Sequence, residues 1–159
     1  MTSDQAFYLA IKWLSRQMYS AERIRQKLQR HDVSSPQIDE VIERLNDQGL
    51  LRENDMAQAL VDQWIARGKW GPVMMRFRLL QRGLDHGIVN AVMADHQEVD
   101  WLAIALHLRE RYDISNPQAK GRFIRFLARQ GFPSSVIAQA VDYELGNERV
   151  DDNNGFGDY

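Results

Sequence analysis

Residues Arg67–Gly83 read RGKWGPVMMRFRLLQRG, and the reading of this stretch decides the fold. Pro72 suits a first helical position, where its missing N–H costs nothing, and Gly71 can serve as the N-cap before it. The apolar spacing predicts a helix through Met74, Met75, Phe77, Leu79 and Leu80. Gly83 can close that helix as a left-handed residue just past its end. Arg67, Lys69, Arg76, Arg78 and Arg82 decorate the segment, and no acid lies among them. A rigid turn, a large apolar surface and a block of cations therefore share one short stretch.

Weaker copies of the phrase lie on both sides. Leu28, Leu79 and Leu127 occupy equivalent positions, each preceded by four residues by Ile24, Met75 or Phe123. Four residues after the leucines come Asp32, Gly83 and Gly131, and ten residues after them come Ile38, Val89 and Ile137. Val41, Val92 and Ala140 follow, and then Ile42, Met93 and Val141. The period is about 50 residues, the signature of a repeat array rather than a single layered domain.

Each copy reads as three helices. The first copy runs from about Asp4 to Gln17, with Phe7, Ala10, Ile11 and Leu14 inward, then Ala21–Arg30 behind a Ser20 cap, then a helix opened by Ser34-Ser35-Pro36-Gln37 and stopped near Gly49. The second begins with Asn54–Ala66, continues through the opening segment, and ends with a helix capped by Asp85. The third starts near Asp100, resumes at Asn116-Pro117 with Phe123, Ile124 and Leu127 inward, and closes with a helix started by Pro133. No stretch alternates as a strand would. The expectation is an all-α chain of three tandem three-helix repeats, 4–50, 54–98 and 100–147, forming an elongated, curved array. The tail at 148–159, acidic and rich in Gly and Asn, is expected to be disordered.

Composition narrows the function classes. Without cysteine there is no disulfide, thiol catalysis or zinc ribbon. The N-terminal MTSDQAFYLA lacks a signal peptide's basic start and apolar core, and no apolar run suits a membrane span, so a cytoplasmic protein is expected. His31, His86, His96 and His107 show no metal-ligand spacing and read as surface or helix-end residues. Gly68-x-x-Gly71 lacks the ending of a phosphate loop, and the serines sit where caps are needed. No catalytic residue, metal site or cofactor is expected. A net charge of −2 gives no global pull toward nucleic acid, so local charge matters more.

The local charge is regular. Arg23, Arg25, Lys27 and Arg30 ride on the second helix of the first copy, Arg76, Arg78 and Arg82 on that of the second, and Lys120, Arg122, Arg125 and Arg129 on that of the third. A solvated face explains any one of these helices, whereas recurrence in all three favours a shared basic surface. Trp13, Trp64 and Trp101 read as core packing. Trp70 stands in the turn beside Lys69 and is either packed or an anchor for a partner.

Several phrases carry a resemblance: Leu14-Ser15-Arg16, then YSAERIRQKL at 19–28, ARGKWGP at 66–72, LLQRGL at 79–84 and RFLARQGF at 125–132. In this order and layout, the chain resembles the RecX family of regulators of the RecA recombinase over about residues 5 to 145. The resemblance implies a non-enzymatic, all-helical modulator acting in homologous recombination, DNA repair and the SOS response. It implies binding to the RecA–DNA filament, with filament growth, ATP hydrolysis and strand exchange restrained, and contact with single- and double-stranded DNA through phosphates. A monomer with no membrane partner is expected. The residues expected at the partner or DNA interface are Arg67, Lys69, Trp70, Arg76, Arg78, Arg23, Arg25, Arg122 and Arg125. The competing reading is a helical nucleic-acid-binding module that acts on DNA through its arginines, independently of RecA.

Overall fold

The computed structural model describes residues 1–143; the expected acidic tail and the last residues of the third repeat lie outside them. The described residues form nine helices and no strand. They are α1 (Ser3–Leu14), α2 (Ala21–Arg30), α3 (Ser35–Asp47), α4 (Glu53–Arg67), α5 (Pro72–Gln81), α6 (His86–Asp95), α7 (Trp101–Arg109), α8 (Pro117–Arg129) and α9 (134–143).

Caps set most boundaries. Ser20 accepts a hydrogen bond from the Arg23 N–H, Asp85 from Ile88, Asp100 from Ala103 and Asn116 from Gln118 and Ala119, so each satisfies an orphan donor of a first turn. The sequence reading carries α1 on to Gln17, but the helix ends at Leu14. Just past that end the Ser15 hydroxyl donates to the Lys12 carbonyl at 2.7 Å, meeting one of the last orphan acceptors.

The apolar register holds in every copy. Leu28, Leu79 and Leu127 are fully buried, as are Ile24, Met75 and Phe123 four residues before them. Ile38, Val89 and Ile137 are buried in the third helices, with Val41, Val92 and Ala140 one turn on. One side chain departs from the expectation: Ile124, expected inward, is exposed. Phe77, part of the apolar run of α5, is 54% exposed. Phe77 stands two residues before Leu79, which is about 200° around the helix and so on the outward face.

The chain divides into two compact units, Met1–Gln63 with Arg76–Gln97, and Trp64–Met75 with the described part of Glu98–Tyr159. In the first unit, Phe7 and Ala10 of α1 meet Ile24 and Leu28 of α2 and Ile38, Val41 and Leu45 of α3. In the second, Ala105 and Leu108 of α7 meet Phe123 and Leu127 of α8 and Ile137 and Ala140 of α9.

Each unit contains a joint in which one helix ends on the start of another. In the first unit, the Ser20 hydroxyl that caps α2 also donates to the Arg82 carbonyl past the end of α5, at 2.7 Å. In the second unit, the Gly71 and Val73 N–H groups at the start of α5 donate to the Gln130 and Gly131 carbonyls past the end of α8, at 2.8 and 3.0 Å. Orphan carbonyls of one helix thereby meet orphan donors, or the capping residue, of the next. The positions are equivalent in the repeat: Ser20 and Gly71 each stand eight residues before the buried leucine of their copy, and Gly83 and Gly131 four residues after theirs. The same joint is therefore built twice. Gly83 and Gly131 have φ of +86° and +88°, and a Cβ on either would collide with the neighbouring helix start.

Candidate partner interface

The turn between α4 and α5 brings Arg67, Lys69 and Trp70 together in the second unit. Gly68, at φ +64°, ends α4 by donating its N–H to the Trp64 and Ile65 carbonyls. The chain then reverses, and the Trp70 indole packs edge-to-face on Trp64 with centroids 5.3 Å apart. Trp64 is buried and Trp70 partly exposed, while Arg67 and Lys69 are exposed. These four side chains line a cavity of about 350 Å³. Trp64 read from sequence as core alone; it is buried and also walls the cavity. Its spacing of six residues from Trp70, across a helix-ending glycine, is the signal that joins the two.

The remaining cations separate into two groups. Arg76 donates to Asn90 Oδ1 on α6 at 2.5 Å, and Arg25 pairs with Asp39 Oδ1 on α3 at 2.7 Å. Each spans fourteen residues, and the two pairs are equivalent in the repeat. These arginines tie a second helix to the third helix of its own copy. The equivalent position in the third copy is Ile124, which has no such task and lies exposed. Lys27 is also engaged within the fold, with Nζ 4.6 Å from the Trp13 ring centroid and 4.9 Å from that of Tyr19. Arg23, Arg78, Arg122 and Arg125 point outward in exposed positions. Arg78 lies against Gln81 Oε1 at 3.4 Å, beside the exposed Phe77.

With two indoles and two cations around one cavity, the turn can receive an anionic group and a flat apolar one at the same time. It offers no nucleophile–base pair. Among the described residues, no group of three or more His, Asp and Glu side chains stands close enough to hold a metal ion, and no helix is long and apolar enough to cross a membrane.

Comparison with known proteins identifies the family. Residues 6–45 match the family description "RecX, first three-helix domain". A regulatory protein RecX from Halorhodospira halophila is 34% identical over 136 residues, 83% of either chain. The chain belongs to the RecX family. A regulatory protein RecX from Chlorobium phaeobacteroides is 28% identical over 149 residues, 89% of this chain and 95% of its own. The crystal structure of RecX from Lactobacillus salivarius superimposes with a TM-score of 0.80 at 20% identity, over 89% of this chain and 95% of that one, a likeness of fold. Arg23 and Arg25 fall inside the matched first domain, and the Trp64–Trp70 turn follows it.

This RecX-family chain also carries a polar network that no sequence motif announces. His96 is a helix-end residue as expected, and its side chain is largely covered. Its Nδ1 lies 2.7 Å from the Val92 carbonyl, and its Nε2 2.9 Å from Asp62 Oδ1 and 3.0 Å from Gln58 Nε2. Burial disfavours the imidazolium, but the Val92 carbonyl and the Asp62 carboxylate outweigh it, so His96 titrates above its ordinary 6.5. Hydrogen bonds from His96 and Gln58 hold Asp62 below its ordinary 3.8. A raised histidine pKa adds stability that is fully present below the unfolded value and lost as pH rises through the folded one. The lowered Asp62 pKa adds stability present above its unfolded value and lost as pH falls through its folded one. The thermal midpoint should therefore decline as pH rises from about 6 to about 8, and His96→Gln should flatten that decline. Parallel pH profiles for the two proteins would remove His96 from the linkage.

Proposed function

We propose that this chain regulates the RecA recombinase without chemistry of its own. It binds the RecA–DNA filament and restrains filament growth, ATP hydrolysis and strand exchange. Membership in a family of regulatory proteins supports the reading, and the observation that carries it is the turn of Arg67, Lys69 and Trp70. The turn joins exposed charge to a partly exposed aromatic, the pairing found where a few residues dominate a protein interface. Arg78, Arg23, Arg122 and Arg125 supply outward cations for the same partner. Arg25 and Arg76 act from within the fold, holding the second helices in place. Each repeat, 4–50, 54–98 and 100–147, serves as one domain of the regulator.

The test is RecA-catalysed ATP hydrolysis on single-stranded DNA, with and without this protein. Wild type should inhibit. Arg67→Glu combined with Lys69→Glu should raise the concentration needed for half-inhibition by about tenfold or more, because reversed charges at a contact repel as well as fail to attract. Both side chains are exposed, so helical circular dichroism and thermal midpoint should hold. The loss should be largest at low salt, where steering is least screened. Arg76→Gln serves as the control and should leave inhibition near wild type. A folded double variant that inhibits at wild-type potency at every salt concentration places the interface elsewhere.

A further inference from the structure

We propose that the acidic segment 144–159 binds in cis to the arginine stripe of α8, formed by Arg122, Arg125 and Arg129, and holds that surface until a partner displaces it. Only the regulatory consequence rests on the role proposed above for Arg122 and Arg125. The contact itself is argued from the third repeat alone.

Three observations carry it. The first is a stripe without counter-charge. Arg122, Arg125 and Arg129 stand three and four residues apart, so they share one face of α8, and all three are exposed. No ion pair engages them among the described residues. Like charges at these spacings repel, and no acid occurs in the sequence from Ile114 to Val141 to relieve them. Arg125 also lies back along the helix, since a Cβ on Gly121 would stand 3.3 Å from its Nη1. Its guanidinium is thereby set toward the N-terminal end of α8.

The second is the repeat. In the first copy the counter-charge sits on the third helix, where Asp39 pairs with Arg25 and Glu40 and Glu43 are exposed. The third-copy equivalents of Asp39 and Glu40 are Ala138 and Gln139, which carry no charge. The acids come instead after the helix: Glu144, Glu148, Asp151, Asp152 and Asp158, with Arg149 as the one cation among them.

The third is placement. Tyr143 lines one cleft with Ile114 and Ser115, the residues that lead into α8. So α9 runs back along α8 and ends near its start, while Ile137 and Ala140 share a core with Phe123 and Leu127. The stripe begins about 10 Å along α8 from that point. The sixteen residues of 144–159 can span up to about 50 Å. A segment tethered so close acts at an effective concentration on the order of millimolar, so weak charge pairs suffice to hold it. Emergence beside α8 decides for this stripe over the other basic surfaces.

Zero-length carbodiimide coupling reads the contact in the full-length chain, because it joins an amine only to a carboxylate that touches it. Arg122→Lys with Arg125→Lys keeps the charge and supplies amines on the stripe. Lys120, two residues before Arg122 and so on another face of α8, is the control. Mass spectrometry should place couplings from positions 122 and 125 to Glu148, Asp151 and Asp152 at several times the yield from Lys120. That yield should be independent of protein concentration and fall several-fold at about 0.5 M salt. Combining Glu148→Gln, Asp151→Asn and Asp152→Asn should lower the concentration for half-inhibition of RecA-catalysed ATP hydrolysis by about threefold, the gain when a competent fraction of about one third becomes complete. Circular dichroism confirms that each variant is folded. Equal coupling from Lys120 and from the stripe overturns the proposal. So does a yield that rises with protein concentration, which would assign the contact to a second copy of the chain. Coupling on the stripe with inhibition unchanged in the neutralised variant upholds the contact and removes the α8 arginines from the RecA surface.

Discussion

Gly131→Ala should destabilise the second unit by about 2–4 kcal/mol, from left-handed strain and steric overlap together. At φ +88° an L-residue is strained by itself. In addition, a Cβ there would stand 2.5 Å from Met74 Cβ and 2.8 Å from Met74 Cα, in the first turn of α5. The hydrogen bonds from Gly71 and Val73 to the Gln130 and Gly131 carbonyls hold those backbones together, so relief of the overlap breaks the joint. Gly49 provides an internal comparison. Its φ is +65°, but a Cβ there meets nothing within 4 Å. Gly49→Ala should cost only the strain, about 1–2 kcal/mol. Urea unfolding of the two variants separates the contributions, and equal losses would mean that crowding at the joint adds nothing.

Leu79→Ala should cost about 2–5 kcal/mol, the range for removing a leucine side chain from a site that cannot fully collapse around the gap. Leu79 is fully buried. Leu28 and Leu127, its counterparts, are equally buried, and their truncation should fall in the same range. Thermal and urea denaturation followed by circular dichroism give the number. A loss below about 1 kcal/mol at Leu79 would show that the site repacks, and the common register would then not carry a common energetic weight.

The equivalence of these leucines was legible from residues alone, and so were nearly all the helix starts. Both follow from local rules. An amphipathic helix shows its buried face as a sequence period, and a cap is a short polar side chain placed just before that period begins. Ser20, Asp85 and Asn116 needed no knowledge of distant neighbours to be read as caps. The phrases around Tyr19–Leu28 and Ala66–Pro72 were also specific enough to point to the family.

Tertiary structure alone decided which cations are engaged by a neighbouring helix. Arg23 and Arg25 stand two residues apart on one helix, yet Arg25 pairs with Asp39 while Arg23 lies exposed. A long flexible side chain is compatible with solvent or with an acceptor, and the choice depends on what the adjacent helix presents. The same dependence brought Asp62 to His96, thirty-four residues away, and closed the Trp64–Trp70 cavity across a turn. It also turned Gly83 and Gly131 from helix stops, which a sequence pattern reveals, into close-packed joints, which only the neighbouring helix start could reveal. The sequence by itself determined the helices, their inner faces and the repeat, because these rest on periodic burial and nearby hydrogen bonds; the joints, the ion pairs and the cavity were decided by packing, because each needs groups that the chain brings together only once it is folded.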